Sequence, residues 1–429
     1  PKDAIRLGIG MVHQHFLLID RHTVAENVAL AVDTSFFIPL REAREKVKEL
    51  SERYGLRVDP DAYIWQLSAG ERQRVEIIKA LARGADILIL DEPTSVLTPV
   101  ETKELFSTLR KMRDEGKAII FITHKLDEVF QVADRVTVLR KGKVVGRLRT
   151  EEATKEKLAE LMVGRKVLFR IERPPLKAGD VVLRVEDLWA LSDRGYPAVR
   201  GVSFEVRAGE ILGIAGVAGN GQEELVEVIT GLRRAEKGKV IIMGKDMTNK
   251  SPREIAELGV AHIPGERLRY GLIPNMSIAE NLILKKYYRP PIRKGILLDS
   301  SKIAEEARKL IEEYQIVTPS HKTLAKLLSG GNIQRMILAR ELSGRPKVII
   351  AAHPTYGLDV AATEYVRRRL MDERNRGAAV LLVSEDLDEV MMMSDRIAVM
   401  FEGQIMGIVP AEEADITEIG MMMTGVRRS

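Results

Sequence analysis

The chain of 429 residues carries one series of motifs twice. "LSAGERQR" begins at Leu67 and "LSGGNIQR" at Leu328, so Ser68 and Ser329 lie 261 residues apart (329 − 68). The same offset brings Pro93 onto Pro354 (354 − 93 = 261), and "ITHKLDEV" at Ile122 onto "VSEDLDEV" at Val383. An ungapped recurrence of this kind is what two copies of one domain leave behind, because each element must keep its place in its own core. Upstream, "PKDAIRLGIGMVHQHF" at Pro1 matches "PREIAELGVAHIPGER" at Pro252 with an offset of 251 (252 − 1), and "TVAENVAL" at Thr23 matches "SIAENLIL" at Ser277 with 254 (277 − 23). Short insertions therefore separate the motifs. The second copy runs from Val181, whereas nothing stands ahead of Pro1 and no methionine opens the chain; a first domain short of its N-terminal segment is expected.

The resulting division is 1–165 for the first copy, 166–180 for a linker and 181–429 for the second. The linker stretch "VGRKVLFRIERPPLKAGD" shows no sustained amphipathic period and holds Pro174 and Pro175, which are hostile to a helix. Within each copy apolar runs ("ILIL", "AIIFIT"; "VIIA", "AVLLVS") alternate with helical patterns such as "PVETKELFSTLRKMRDEG". That alternation predicts an α/β fold with a largely parallel sheet.

Composition narrows the function. A chain with 45% hydrophobic and 30% charged residues can bury two cores. No apolar run approaches the roughly 20 residues needed to cross a bilayer, and no signal-peptide order opens the chain. Zero cysteines exclude disulfides and thiolate chemistry. The 67 basic and 62 acidic residues are interspersed, so the net charge of +5 forms no basic tail and does not indicate nucleic acid.

"ILILDEPTS" ends an apolar strand in Asp91 and Glu92, where parallel sheets collect their ligands. Phosphoryl transfer calls for this pairing, one acid on a magnesium ion and one on the attacking water; a strand ending in an ordinary polar turn reads equally well. "FITHK" ends a second strand in His124, a residue type suited to a γ-phosphate, although a lone strand-end histidine is more often structural. Ser68, Ala69 and Gly70, and again Ser329, Gly330 and Gly331, stand at the starts of helical patterns, where free amides attract anions. A plain N-cap is the bland reading, and repetition before both "DEPT" and "HPT" argues against it. "GIAGVAGNGQEEL" has Gly216, Gly219 and Gly221 at phosphate-loop spacing, but Gln222 and Glu223 replace the lysine and the hydroxyl residue. The cradle survives without its charge, so backbone binding of nucleotide with little hydrolysis is expected. In the same copy Ala352 and His353 replace Asp91 and Glu92.

In order, Gln14 in "GMVHQHF", then "LSAGE", "LILDEPTS" and "THK" resemble the Q-loop, signature, Walker B and switch histidine of ATP-binding cassette proteins. The resemblance covers essentially the whole chain. Two copies, the second degenerate, are similar to the ATPase subunit of simple-sugar and nucleoside importers, and "GMVHQHF" with "GVAGNGQ" favours the nucleoside branch. It implies P-loop NTPase-type domains with mixed, largely parallel sheets and helical subdomains, and ATP and Mg²⁺ as cofactors. Glu92 and His124 would be catalytic, with Asp91 and Gln14 at the metal. Gln14, Ser68, Ala69, Gly70, Gly216, Gly219, Asn220, Gly221, Gln222, Ser329, Gly330, Gly331, Gln334 and Asp359 would contact nucleotide. In such proteins the cassettes pair head to tail, so Ser329 to Gly331 would cap the site of Glu92, and Ser68 to Gly70 a retired site with Ala352, His353 and Glu385.

The implied partners are two integral-membrane permease subunits, docked near Gln14 to Glu26 and Gly265 to Glu280, and through them an extracytoplasmic substrate-binding protein; no nucleic acid is expected. The location would be the cytoplasmic face of the membrane. Residues 1–429 alone, without a phosphate-loop lysine, would not hydrolyse ATP. The alternative is a soluble tandem-cassette ATPase acting on ribosomes, a family pattern that keeps both sites intact. His13 and His15 alternate as metal ligands on a strand might, without further ligands nearby. Met391 to Met393 and Met421 to Met423 read as packing residues, and "YVRRRLMDERNR" as a solvated helix face.

Overall fold

Leu88 and Leu90 are fully buried between half-buried neighbours, which makes "ILILD" the middle strand of a small sheet. The computed structural model describes residues 1–14, 16–32, 40–94, 97, 99–165, 173–175, 178–217, 219–423 and 425. The chain divides into two compact units, Pro1–Val167 and Leu168–Ser429. Most of the linker expected over 166–180, and His15, lie outside the described residues.

In the first unit β1 (Ile9–Val12), β2 (Ile87–Asp91) and β3 (Ala118–Ile122) run parallel in that order. The register sets Asp91 beside Ile122, so the carboxyl ends of β2 and β3 open at one place. Around them stand α1 (Lys2–Arg6), α2 (Val24–Val32), α3 (Leu40–Tyr54), α4 (Ala69–Ala82), α5 (Pro99–Asp114), α6 (Leu126–Val132) and α7 (Lys155–Val163). An antiparallel ribbon, β4 (Arg135–Arg140) and β5 (Lys143–Arg149), completes the unit. The core joins Val12, Ile77, Ile78, Leu88, Leu90, Phe106, Leu109 and Met112. Helix α3 reaches it through Ala43, Val47, Leu50 and Tyr54, a single stripe at helical spacing.

The second unit opens with β6 (Val181–Leu191), β7 (Pro197–Arg207) and β8 (Ile211–Ala215), followed by α8 (Gln222–Ile229), β9 (Lys237–Ile242), β10 (Lys245–Asp246), α9 (Pro252–Glu257) and β11 (Val260–Ile263). Then come α10 (Ile278–Ile283), the hairpin β12 (Arg293–Lys294) and β13 (Leu297–Leu298), α11 (Ser300–Glu313) and α12 (Gly330–Leu342). It closes with β14 (Val348–Ala352), α13 (Val360–Asn375), β15 (Ala379–Ser384), α14 (Leu387–Met393), β16 (Arg396–Phe401), β17 (Gln404–Pro410) and α15 (Ile416–Met422). The main sheet has the order β11-β14-β15-β8-β16-β17, parallel except for the β16–β17 pair. Strands β8, β14 and β15 are buried at every position, as continuous apolar runs covered on both faces should be.

Two features depart from the sequence reading. A second sheet, β10-β9-β6-β7, is antiparallel and packs Leu183, Val185, Phe204 and Val240 against Leu212, Ile214 and Ile350. Helix α13 is not a solvated face: Val366, Leu370, Met371 and Glu373 are buried, and Arg374 forms a buried ion pair with Asp395 at 2.6 Å. Asp395 Oδ2 also accepts from the Ile211 amide at 2.8 Å, tying helix to sheet. Among the methionines, Met393 and Met422 are core residues while Met421 is exposed.

Candidate functional site

Residue Glu92 leaves β2 in the left-handed region, φ 45, and its amide donates to the Ile122 carbonyl at 2.9 Å. A bulky residue holds such a backbone only where its surroundings enforce it. The turn aims the carboxylate between two side-chain nitrogens. Gln14 Nε2 donates to Glu92 Oε2 at 3.0 Å, and His124 Nδ1 lies 2.9 Å from Oε1. Asp91, half-buried, occupies the last position of β2. Three segments distant in sequence, carrying Gln14, Asp91-Glu92 and His124, thus meet because β1, β2 and β3 end side by side.

One step behind this cluster is a group that sequence reasoning passed over. Glu128, buried in α6, accepts from Thr94 Oγ1 at 2.5 Å and from Thr123 Oγ1 at 2.8 Å. It bridges the turn after Glu92 and the segment before His124. The available signal was the recurrence of "LDEV" in both copies.

The corresponding place in the second unit is built alike and chemically altered. His353 repeats the left-handed turn, φ 42, with its amide on the Val383 carbonyl at 2.7 Å. Glu385 stands where the first unit has His124, so the acid and the imidazole have exchanged strands. Burial pushes the His353 imidazole below its ordinary range, against the pull of Glu385 and Glu389. Gly265 stands at the position of Gln14; a Cβ there would lie 3.3 Å from His353 Cδ2. Ala352 supplies no oxygen.

The phosphate-loop glycines precede α8. Gly221 is its N-cap at φ 93, and a Cβ there would lie 2.1 Å from the Ala198 carbonyl, so only glycine fits. Gln222 is buried, and its Nε2 lies 2.4 Å from where a side chain on Gly216 would begin. Nε2 has no hydrogen-bond partner among the described residues, a polar vacancy that a phosphate oxygen suits. Burial raises the Glu223 carboxyl, and Glu227, Glu266 and Glu224 raise it further. Asn220 faces elsewhere: its Oδ1 accepts the Glu402 amide at 2.8 Å and holds the β16–β17 turn.

The two signature segments also differ. Ser68 is committed to its own helix, in a capping box with Glu71 at 3.3 and 2.8 Å. A Cβ on Gly70 would stand 2.0 Å from Glu101 Oε1, so a carboxylate covers this glycine. Ser329 makes no such cap; its hydroxyl accepts from Asn332 Nδ2 at 3.0 Å. At Gly331 a Cβ would stand 3.3 Å from the methyl group of Ala362, the counterpart of Glu101. The segment at Ser329 is therefore the one open to an anion. Gln334 is in the core, its Nε2 on the Pro354 carbonyl at 2.8 Å, and Asp359 caps α13 through the Ala362 amide at 2.8 Å. Arg267 to Tyr270, within the expected docking region, belong to a π-helical turn, Arg267–Gly271. Arg267 is half-buried there, reaching the Tyr356 carbonyl, and desolvation lowers its pKa.

Glutamate, glutamine and histidine gathered at the ends of a parallel sheet, in a chain that writes the same series of motifs a second time with these residues replaced, mark a tandem ATP-binding cassette protein. The family model described as ABC transporter matches residues 1–95 and 199–356. The nucleoside import ATP-binding protein NupA of Lactococcus lactis is 50% identical over 427 residues, covering 99% of this chain and 84% of its own length. The guanosine import ATP-binding protein NupO of Bacillus subtilis is 47% identical with the same coverage. A solved nucleotide-free ATP-binding cassette from an ABC transporter aligns with 27% identity and a TM-score of 0.48, over 56% of this chain and 96% of that one. The chain belongs to the ABC transporter family of ATP-binding proteins.

Proposed function

We propose that this chain is the ATP-hydrolysing subunit of an importer, that its solute is a nucleoside, and that only the first cassette hydrolyses. The observation that carries the reading is the grip of Gln14 and His124 on Glu92, with Asp91 adjacent, set against Ala352 and His353 in the second unit. The 50% and 47% identities to nucleoside and guanosine import proteins support the choice of solute. The boundaries 1–165 and 181–429 serve as the two cassettes.

Hydrolysis transfers the γ-phosphoryl group to water, breaking the bond to the bridging oxygen of ADP. Glu92 orients the attacking water and accepts its hydrogen bond, and His124 fixes the carboxylate and steadies the charge that leaves with phosphate. Asp91 and Gln14 would hold Mg²⁺. No cluster of three acidic or imidazole groups able to hold a metal alone occurs among the described residues, which suits an ion completed by phosphate oxygens and water. Bound there, Mg²⁺ would neutralise developing phosphate charge. Ser329, Gly330 and Gly331 serve as phosphate contacts, and Ser68, Ala69 and Gly70 as weaker ones because Glu101 brings negative charge.

No helix among the described residues is long and apolar enough to cross a membrane. In this reading the work of hydrolysis passes to partners: two permease subunits, and through them a substrate-binding protein, with this subunit at the cytoplasmic face. The test is reconstitution of the full-length protein with candidate nucleoside permease subunits. ATP-driven uptake of labelled nucleoside, lost with Glu92→Gln, is expected. Isolation with ribosomes and no permease, or uptake unaffected by Glu92→Gln, would overturn the reading.

A further inference from the structure

Both units contain the same buried carboxylate clamp, and they neutralise it differently. In the first, Glu128 joins Thr94 to Thr123, and its cation is Lys125, whose Nζ lies 3.3 Å from Oε1. Lys125 directly follows His124, and its amide donates to Thr123 Oγ1 at 3.0 Å. Its side chain is 48% exposed, so the ammonium can swing into water without unfolding anything. In the second, Glu389 joins Thr355 to Ser384 at 2.7 and 2.8 Å. Position 386 is now Asp, and the cation is Arg367, at 3.0 Å from the face of α13. Arg367 is 16% exposed and also reaches Asp386 at 3.4 Å. Its counterpart in the first unit is Phe106, fully buried and packed edge-on against Phe121.

We propose that Glu128 and Lys125 are positioning residues for hydrolysis, forming a releasable clamp between the Glu92 turn and the His124 segment, while Arg367 makes the equivalent clamp of the second cassette permanent. This rests on the reading of Glu92 as the hydrolytic residue. A buried carboxylate is tolerated only with its hydrogen bonds and a countercharge in place. In the first cassette that countercharge sits on the segment that carries His124, so any shift of His124 changes the compensation of Glu128. The coupling runs both ways: the clamp sets where His124 rests, and displacement of His124 weakens the hold on Thr94 and hence on the turn that presents Glu92. In the second cassette Arg367 belongs to a helix, and movement of the Glu385 segment leaves Glu389 compensated. The catalytic copy thus keeps a mobile strand-end segment where the lapsed copy has a fixed one.

The test is a double-mutant cycle in the full-length protein, read by kcat, KM and melting temperature. Lys125→Gln strands a buried charge and should lower kcat about tenfold with KM within about twofold. Glu128→Gln removes the charge that Lys125 serves while keeping groups able to bond both threonine hydroxyls. The double variant should therefore be no slower than Lys125→Gln alone. Arg367→Gln should lower the melting temperature and leave kcat within about twofold, since it touches no reacting group. Multiplicative losses of about a hundredfold in the double variant, or an unchanged kcat in Lys125→Gln, would overturn the proposal. Lys125 is partly exposed, so its variant folds even where Glu128 variants do not. Glu92→Gln run alongside separates the two readings: if it keeps its kcat the hydrolytic assignment fails, and if it alone loses kcat only the clamp fails.

Discussion

Replacing Glu92 with glutamine tests the centre most directly. The carboxylate now meets two nitrogens, Gln14 Nε2 at 3.0 Å and His124 Nδ1 at 2.9 Å, one on each oxygen. An amide keeps one acceptor and turns an NH₂ towards the other contact; facing Gln14 Nε2 it loses that hydrogen bond, and facing His124 Nδ1 it needs the imidazole proton on Nε2. The larger loss is chemical, because the neutral amide no longer polarises a water hydrogen. Loss of a positioned general base costs about 10²–10⁴ in rate. With the side chain's shape retained, we expect kcat to fall about 10²–10³-fold, equivalent to about 3–4 kcal/mol at 1.36 kcal/mol per decade. KM should stay within about threefold, since the interaction belongs to the transition state. The measurement is steady-state phosphate release by the full-length protein, with thermal melting to confirm folding. A kcat within threefold of the parent, in a protein that melts normally, would refute the assignment of Glu92 and with it the asymmetry of the two cassettes.

Three further outcomes follow from the second unit. Asp395→Ala leaves Arg374 buried without its partner and the Ile211 amide without its acceptor, so urea unfolding should show a loss of about 3–5 kcal/mol; a loss under 1 kcal/mol would contradict the buried pair. Gly221→Ala must hold a left-handed backbone at φ 93 with its Cβ on the Ala198 carbonyl, and should lower stability by at least about 1–3 kcal/mol in the same assay. Burial lowers the His262 pKa to about 4, despite the opposing pull of Glu341. Below its unfolded value of about 6.5 the unfolded chain takes up the proton more readily, so stability should decline as pH falls from about 6.5 towards 4, and His262→Gln should flatten that slope in urea titrations across the range.

The local chemistry of the site was legible from the chain alone. An apolar run long enough for one strand and ended by Asp91-Glu92, a second ended by His124, and a helix start at Ser68 each announce themselves within a few residues, because strand ends and caps are short-range features. The repeat made them specific, since Ala352, His353 and Glu385 stand out only against Asp91, Glu92 and His124. Partnerships made across the sheet were not legible. Thr94, Thr123 and Glu128 are unremarkable in sequence, and they become a clamp only because β2 and β3 lie parallel with their ends together. Glu101 over Gly70, Arg367 in place of Lys125, and the burial of Gln334 and Arg374 likewise depend on which face of a helix meets the sheet. The antiparallel β6–β7–β9 layer escaped notice because its strands are interrupted by register shifts that blur the alternation. Sequence therefore determined which ionisable groups stand at the strand ends. Tertiary structure decided which buried charges hold them in place, since a charge taken out of water must find its countercharge in space and not along the chain.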